Sequence, residues 1–222
     1  MGYFRSVVHI LSNEFSLVNE FIHELRDKDI QQDRARFRKN IERIGQIAAY
    51  EISKEMDSDI HFTTTPLGIA QVKKMKEQPI IATILRAGLP LQRGLNDMFD
   101  QADLAYISAY RKHKDEDNTA FEIVLEYVAT PDINDRILFI CDPMLATGQS
   151  LVQTYEAFMA KGKPSKVYLI SVIGSQEGVD YVTAKIPNAD LWIGVIDEKL
   201  DKNGYIVPGL GDAGDLSFGT KL

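Results

Sequence analysis

The sequence predicts an α/β fold, a mostly parallel central sheet flanked by helices. Three observations carry this. Four apolar runs, at 79–85, 137–141, 166–174 and 190–196, have the length and β-branched content of strands buried on both faces. Helical patterns alternate with them, which is how parallel strands are connected and covered. Two of the runs end in short polar stretches rich in small residues, Arg86-Ala87-Gly88 and 142–150, at the place where a parallel sheet presents groups to a ligand.

The elements follow in order. Residues 7–11 are apolar and read as a strand or as an arm packed on a neighbour. Two helical segments come next. In the second, Phe37, Ile41, Ile44, Ala48, Ile52 and Met56 recur at steps of three and four. Arg34, Arg36, Arg38, Lys39 and Arg43 lie on the other face, and such a cluster is usually solvated. Residues 60–66 alternate like a short strand ended by Pro66, with His61 exposed. The lysine-rich stretch 73–76 carries no readable chemistry. After the run at 79–85, a helix places Leu91, Leu95, Met98 and Phe99 inward. Residues 103–110 read as a strand, 111–119 as a polar loop, and Phe121, Ile123 and Leu125 as the inward positions of a return strand. A short helix at 176–185 separates the last two apolar runs, the second of which holds Trp192.

Composition bounds the function. With 222 residues the chain suits one domain. Twenty-five Lys and Arg against 32 Asp and Glu leave a net charge of −7, which argues against nucleic acid as a general partner. The one cysteine, Cys141, lies in an apolar run and reads as a small buried hydrophobe. The four histidines are scattered and no CxxC or HExxH occurs, so no protein-held metal is expected. The absence of an apolar run of about 18 residues argues against a membrane span and favours a cytoplasmic protein.

The chemistry concentrates in Arg136-Ile137-Leu138-Phe139-Ile140-Cys141-Asp142-Pro143-Met144-Leu145-Ala146-Thr147-Gly148-Gln149-Ser150. A strand runs into a helix whose inward face is Leu151, Tyr155, Phe158 and Met159. A helix N-terminus offers free N–H groups and partial positive charge to a phosphate. Ala146, Thr147 and Gly148 are small enough for close approach, Thr147 and Ser150 add hydroxyls, and Asp142 can accept from sugar hydroxyls. Arg86, at a strand end, can grip a diphosphate bidentately. From the residues alone, an ordinary α/β crossover and a solvated arginine remain open beside these readings.

The chain resembles the uracil phosphoribosyltransferases, of the type I phosphoribosyltransferase class, in three motifs. They are Asp-Pro-Met-Leu-Ala-Thr-Gly at 142–148, Ile-Leu-Arg-Ala-Gly-Leu at 84–89, and Tyr-Ile-Val-Pro-Gly-Leu-Gly-Asp-Ala-Gly-Asp at 205–215. The resemblance implies binding of 5-phosphoribosyl 1-diphosphate (PRPP) by Arg86, Arg111, Asp142, Pro143, Met144, Leu145, Ala146, Thr147, Gly148, Gln149, Ser150 and Asp212. It implies uracil binding by Ile206, Gly211, Asp212 and Ala213, whose backbone groups would complement O2, N3–H and O4. Arg86, Arg111 and Asp212 would take part in catalysis, with Mg²⁺ carried mainly by the diphosphate. The family also implies a β-hairpin flap over PRPP, an N- and C-terminal hood, and a homodimer or higher homo-oligomer. GTP activates some members, and loops like that at Arg86 can contain a non-proline cis peptide.

The implied layout is a single domain, 1–222. It comprises a helical arm to about 58, a PRPP-binding core at about 59–197 and a uracil-binding segment at about 198–222. Pro143, in place of the second acid of the wider class, is the variant that resembles this family. Two departures stand out: Gln149 stands where many members have glycine and would narrow the phosphate site, and Leu216 stands where a basic residue is commoner. The expected reaction is uracil and PRPP to UMP and diphosphate in pyrimidine salvage. The alternatives are a phosphoribosyltransferase for another base, or a nucleotide- or RNA-binding regulator on the same fold.

Overall fold

The computed structural model describes residues 6–113 and 121–220; the side chains of 109–113 and 121–125 lie outside that description. The chain opens with β1 (Val8–Ile10), α1 (Leu17–Arg26), a 3₁₀ turn (Ile30–Gln32) and α2 (Arg34–Ser53). There follow β2 (Ser58–Thr65), β3 (Gly68–Met75), β4 (Ile80–Leu85), α3 (Leu89–Met98), β5 (Asp103–His113) and β6 (Phe121–Ala129). The second half runs β7 (Ile137–Cys141), β8 (Met144–Leu145), α4 (Gln149–Met159), β9 (Lys166–Ser175), α5 (Gln176–Lys185) and β10 (Ala189–Asp197). It closes with β11 (Lys199–Leu200), β12 (Ile206–Val207) and α6 (Ala213–Phe218).

Local chemistry sets the helix starts. Ser16 caps α1 in a reciprocal box with Asn19, and Asp33 accepts from the first free N–H groups of α2. The main sheet has the order β1-β10-β9-β7-β4-β5-β6, with β8 added beside β9. Its pairs are parallel except β5 with β6. Side chains along β7 alternate between the two faces. Ile137, Phe139 and Cys141 join α1, α2 and α3, whereas Leu138 and Ile140 join α4 and α5. Phe139 stands edge-on to Phe99 and to Tyr168, each 5.4 Å away, and is wholly buried. Truncating such a ring to alanine costs about 3–5 kcal/mol.

The strand order places the site. From β4 the chain crosses by α3 to β5 on one side; from β7 it crosses by α4 to β9 on the other. The connections therefore diverge between the C-terminal ends of β4 and β7, and such a divergence opens a crevice there. Arg86 follows β4 and Asp142 follows β7, so both motifs flank it.

Several expectations change. Residues 68–75 form β3, which pairs antiparallel with β2 in a hairpin apart from the main sheet. Its lysines hid the alternation, because most of the hairpin is exposed on both faces, Ile60, Phe62 and Ile69 included. The 7–11 stretch is an edge strand of the main sheet. Met98 is half exposed at the end of α3, so only Leu91, Leu95 and Phe99 face inward. Met56 lies beyond α2 but still packs against the core. The glycine-rich C-terminal segment contains β12, which pairs with β11 just before it, and Ala213 begins α6. Among the described residues no helix is long and apolar enough to cross a membrane.

Candidate active site

The loop after β7 is built as an extension of the sheet. The Asp142 N–H donates to the Ile170 carbonyl at 3.1 Å. The Pro143 carbonyl accepts from Val172 and Ile173, and Met144 and Leu145 continue pairing with β9 as β8. The Met144 N–H points to Asp142 Oδ1 at 3.4 Å. Gly148, at φ +77°, turns the chain into α4 in a conformation that costs a side-chain-bearing residue strain. Asp142, Met144, Leu145, Ala146, Thr147, Gly148 and Ser150 line a small cleft here, with Leu151 and Ser171. The side chains of Pro143 and Gln149 do not. Gln149 is exposed, so it leaves the cleft unnarrowed.

Two residues that hold this loop were not foreseen. Ser175, wholly buried at the start of α5, donates to the Ala146 carbonyl at 2.7 Å and accepts from Gly178 N–H at 2.9 Å. A Cβ at Gly178 would stand 2.1 Å from the Ala146 oxygen, so α5 can press on the loop only with glycine there. Ser175 had a sequence signal, a serine before a helix with an acid in its first turn. Gly178 had none, since the contact exists only in three dimensions.

The C-terminal segment lies over both loops. Ala213 N–H faces the Met144 sulfur at 3.4 Å, and a Cβ at Gly214 would come 3.9 Å from the Ala87 methyl. Asp212 Oδ1 caps α6, accepting from Gly214 and Asp215 N–H at 2.8 and 3.0 Å. Ile206 is buried in β12 and Gly211 takes φ +92°. Arg86 reaches across from β4, with Nη2 3.8 Å from Asp215 Oδ1 and donating to the Gly219 carbonyl at 3.4 Å. The Leu85–Arg86 and Val207–Pro208 peptides are cis. The three motifs, far apart in sequence, thus meet in space. The Arg111 side chain falls outside the described residues.

The basic face of α2 is largely paired. Arg36 grips Glu24, and with Asn40 also donating, the Glu24 carboxyl falls to a pKa of about 2. Arg38 donates to the Ser217 carbonyl and Lys39 pairs with Glu42. Arg34 lines a hollow with Gln31, Gly211, Asp212 and Leu216, so a cation stands near the position where the family more often has a basic side chain. Burial pushes the Cys141 thiol up to about 12, as a structural cysteine requires. No three His, Cys, Asp or Glu side chains converge as a metal cage among the described residues.

A small cleft at a helix start, an arginine at the neighbouring strand end and a covering C-terminal segment give this α/β chain a crevice of the kind that can take a phosphorylated sugar. The family model for uracil phosphoribosyltransferase matches residues 13–220, and the chain belongs to that family. It is similar to the uracil phosphoribosyltransferase of Porphyromonas gingivalis, 51% identical over 97% of this chain and 99% of that one. The Pyrococcus furiosus enzyme is 35% identical over 92% and 87%. Among solved structures, the AQ2163 protein from Aquifex aeolicus superposes with a TM-score of 0.86 at 27% identity, covering 97% of this chain and 100% of that one.

Proposed function

We propose that this protein transfers the 5-phosphoribosyl group of PRPP to N1 of uracil, forming UMP and diphosphate for pyrimidine salvage. The observation that carries the reading is the meeting of Arg86, the 142–150 loop and the 206–215 segment in one crevice. The start of α4 receives the 5-phosphate, with Thr147 and Ser150 hydroxyls beside it. Asp142 accepts from the ribose hydroxyls. Backbone groups of Ile206, Gly211 and Ala213 complement the uracil edge. The Ala213 N–H now faces a thioether, a weak acceptor that a uracil carbonyl can displace.

As the bond from C1′ to diphosphate breaks and the bond to uracil N1 forms, positive charge develops on the ribose. Negative charge gathers on the leaving group, where Arg86 and Arg111 stabilise it. PRPP enters as its Mg²⁺ complex. The ion would supply positive charge to the leaving diphosphate, and no three His, Cys, Asp or Glu side chains converge to hold it among the described residues. Asp212 acts from a fixed place because capping α6 holds its carboxylate, and it orients the base or takes the N1 proton. A homo-oligomer belongs to this reading, since Ile60, Phe62 and Ile69 of the β2–β3 hairpin stay exposed within one chain. Light scattering at twice the chain mass or more supports it.

The direct test is UMP formation from uracil, PRPP and Mg²⁺, with cytosine, orotate and hypoxanthine in parallel. Turnover of uracil alone is expected; turnover of another base in its place would sink the substrate assignment. Asp212→Asn keeps an acceptor for the cap and removes the charge. Its kcat should fall about 100-fold, in the range of an acid–base group. An unchanged kcat at saturating substrates removes Asp212 from the chemistry.

A further inference from the structure

The turn at 208–210 follows the short β12 strand and is held from outside. Arg26, the last residue of α1, forks onto Asp197, the last residue of β10. Its Nη1 meets Oδ2 at 2.8 Å and its Nη2 meets Oδ1 at 2.6 Å. The same Nη1 donates to the Gly209 carbonyl at 3.0 Å, and the Gly209 N–H donates back to Asp197 Oδ2 at 2.9 Å. Both backbone groups of one residue are therefore captured by one ion pair.

The setting makes this pair more than a surface contact. The Asp197 side chain is 7% exposed and that of Arg26 23%. Gly209 stands at φ +63°, and a Cβ there would lie 2.1 Å from the Ile206 carbonyl oxygen, so the turn is as tight as a backbone allows. Ile206 and Leu210 on either side are buried. The captured turn lies between the groups assigned to the base, Ile206 before it and Gly211 to Ala213 after it. The 142–150 loop, by contrast, pairs with β9 and packs against α5.

We infer that Arg26 and Asp197 are positioning residues that set the pitch of the base-reading turn and hence its preference for uracil over cytosine. The inference rests on the uracil reading of that segment. A planar base is discriminated by donors and acceptors held at fixed places, and a loosened turn lets them follow the wrong partner. The fork geometry matters as well as the charge. A lysine ammonium has three donors around one nitrogen and cannot span both Asp197 oxygens and the Gly209 carbonyl in one plane.

Two variants test this in the full chain, Arg26→Lys and Asp197→Asn. The second keeps its size and an acceptor for the Gly209 N–H, so it serves if the first fails to fold. In either, KM for uracil should rise about tenfold, the scale of a small misplacement of binding groups, while KM for PRPP stays within about twofold. The uracil-over-cytosine ratio should fall. Amide hydrogen exchange should quicken at 206–215 and stay unchanged in β9 and β10. Equal rises in both KM values, no rise in either, or faster exchange spread through β9 and β10 would each overturn the inference. If the wild-type chain makes no UMP from uracil, the substrate reading has failed. The exchange arm then decides alone: quickening confined to the turn supports the positioning role, and an unchanged turn removes it.

Discussion

The two loops proposed to bind phosphate and base are held in different ways. The phosphate loop grows out of the sheet. Its carbonyls and N–H groups pair with β9, and Ser175, which ends β9 and caps α5, closes on Ala146 together with Gly178 of α5. The base segment has little ladder of its own. Ion pairs and caps hold it: Arg26 with Asp197 around Gly209, Asp212 on α6, and Arg86 near Asp215. The first loop is held by backbone pairing and steric contact, which do not depend on an ion pair. The second depends on side chains from distant elements, so single polar substitutions should loosen it selectively.

The largest effect should come from breaking the packed side of this contrast. In Gly178→Val the new side chain collides with the Ala146 carbonyl and displaces the phosphate loop. A shift near 1 Å at a reacting group costs about 100-fold, so kcat/KM for PRPP should fall by that order while the variant still binds uracil. Stopped-flow or steady-state kinetics with both substrates varied will show whether the loss is confined to PRPP. A loss shared equally by uracil would mean that the two loops are one mechanical unit.

A milder cut at the same place is Ser175→Ala. It removes a helix cap and leaves the Ala146 carbonyl without its donor, together worth about 2 kcal/mol of stability. Chemical denaturation should register that loss. A midpoint equal to that of the wild type would show that water replaces the hydroxyl at no cost.

The charge-held side should show itself in acid. Glu24 lies on α1, the helix that ends in Arg26, and its carboxyl is held down to about 2 by Arg36 first and Asn40 second. A carboxyl with a lowered folded-state pKa stabilises the fold above its ordinary value near 4.5, and that contribution disappears as pH falls toward 2. Wild type should therefore be more stable than Glu24→Gln at neutral pH, with the gap closing between about pH 4.5 and 2. A gap independent of pH would assign the difference to packing. The smallest effect concerns Cys141 under the phosphate loop. With its thiol at about 12 and wholly buried, it should resist alkylation at pH 8 in the native chain, and rapid labelling would contradict the tight packing described for that side.

Much of this was legible in the residues themselves. The apolar runs that became β4, β7, β9 and β10 needed no tertiary information, since a strand buried on both faces is apolar throughout. That Arg86 follows one strand and residues 142–150 join another to a helix was legible because a strand end followed by small and hydroxylated residues is a local chemical pattern. The β3 strand was not, because an exposed hairpin carries no burial signal for its lysines to interrupt. Nor was α6, whose start depends on Asp212 turning its own carboxylate back onto two N–H groups.

What the residues determined alone was the class of fold, the strand-to-helix course of the 137–159 stretch and the acidic net charge of the chain. Only the tertiary structure decided that Gly178 must be glycine, that Gln149 faces solvent, and that Arg26 meets Asp197 and Gly209 across 171 and 183 positions of sequence. The physical reason is range. Periodicity, caps and small-residue loops act within a few residues and leave their mark on the string. A steric contact or an ion pair between distant segments depends on where the sheet and helices carry them, and that exists only after folding.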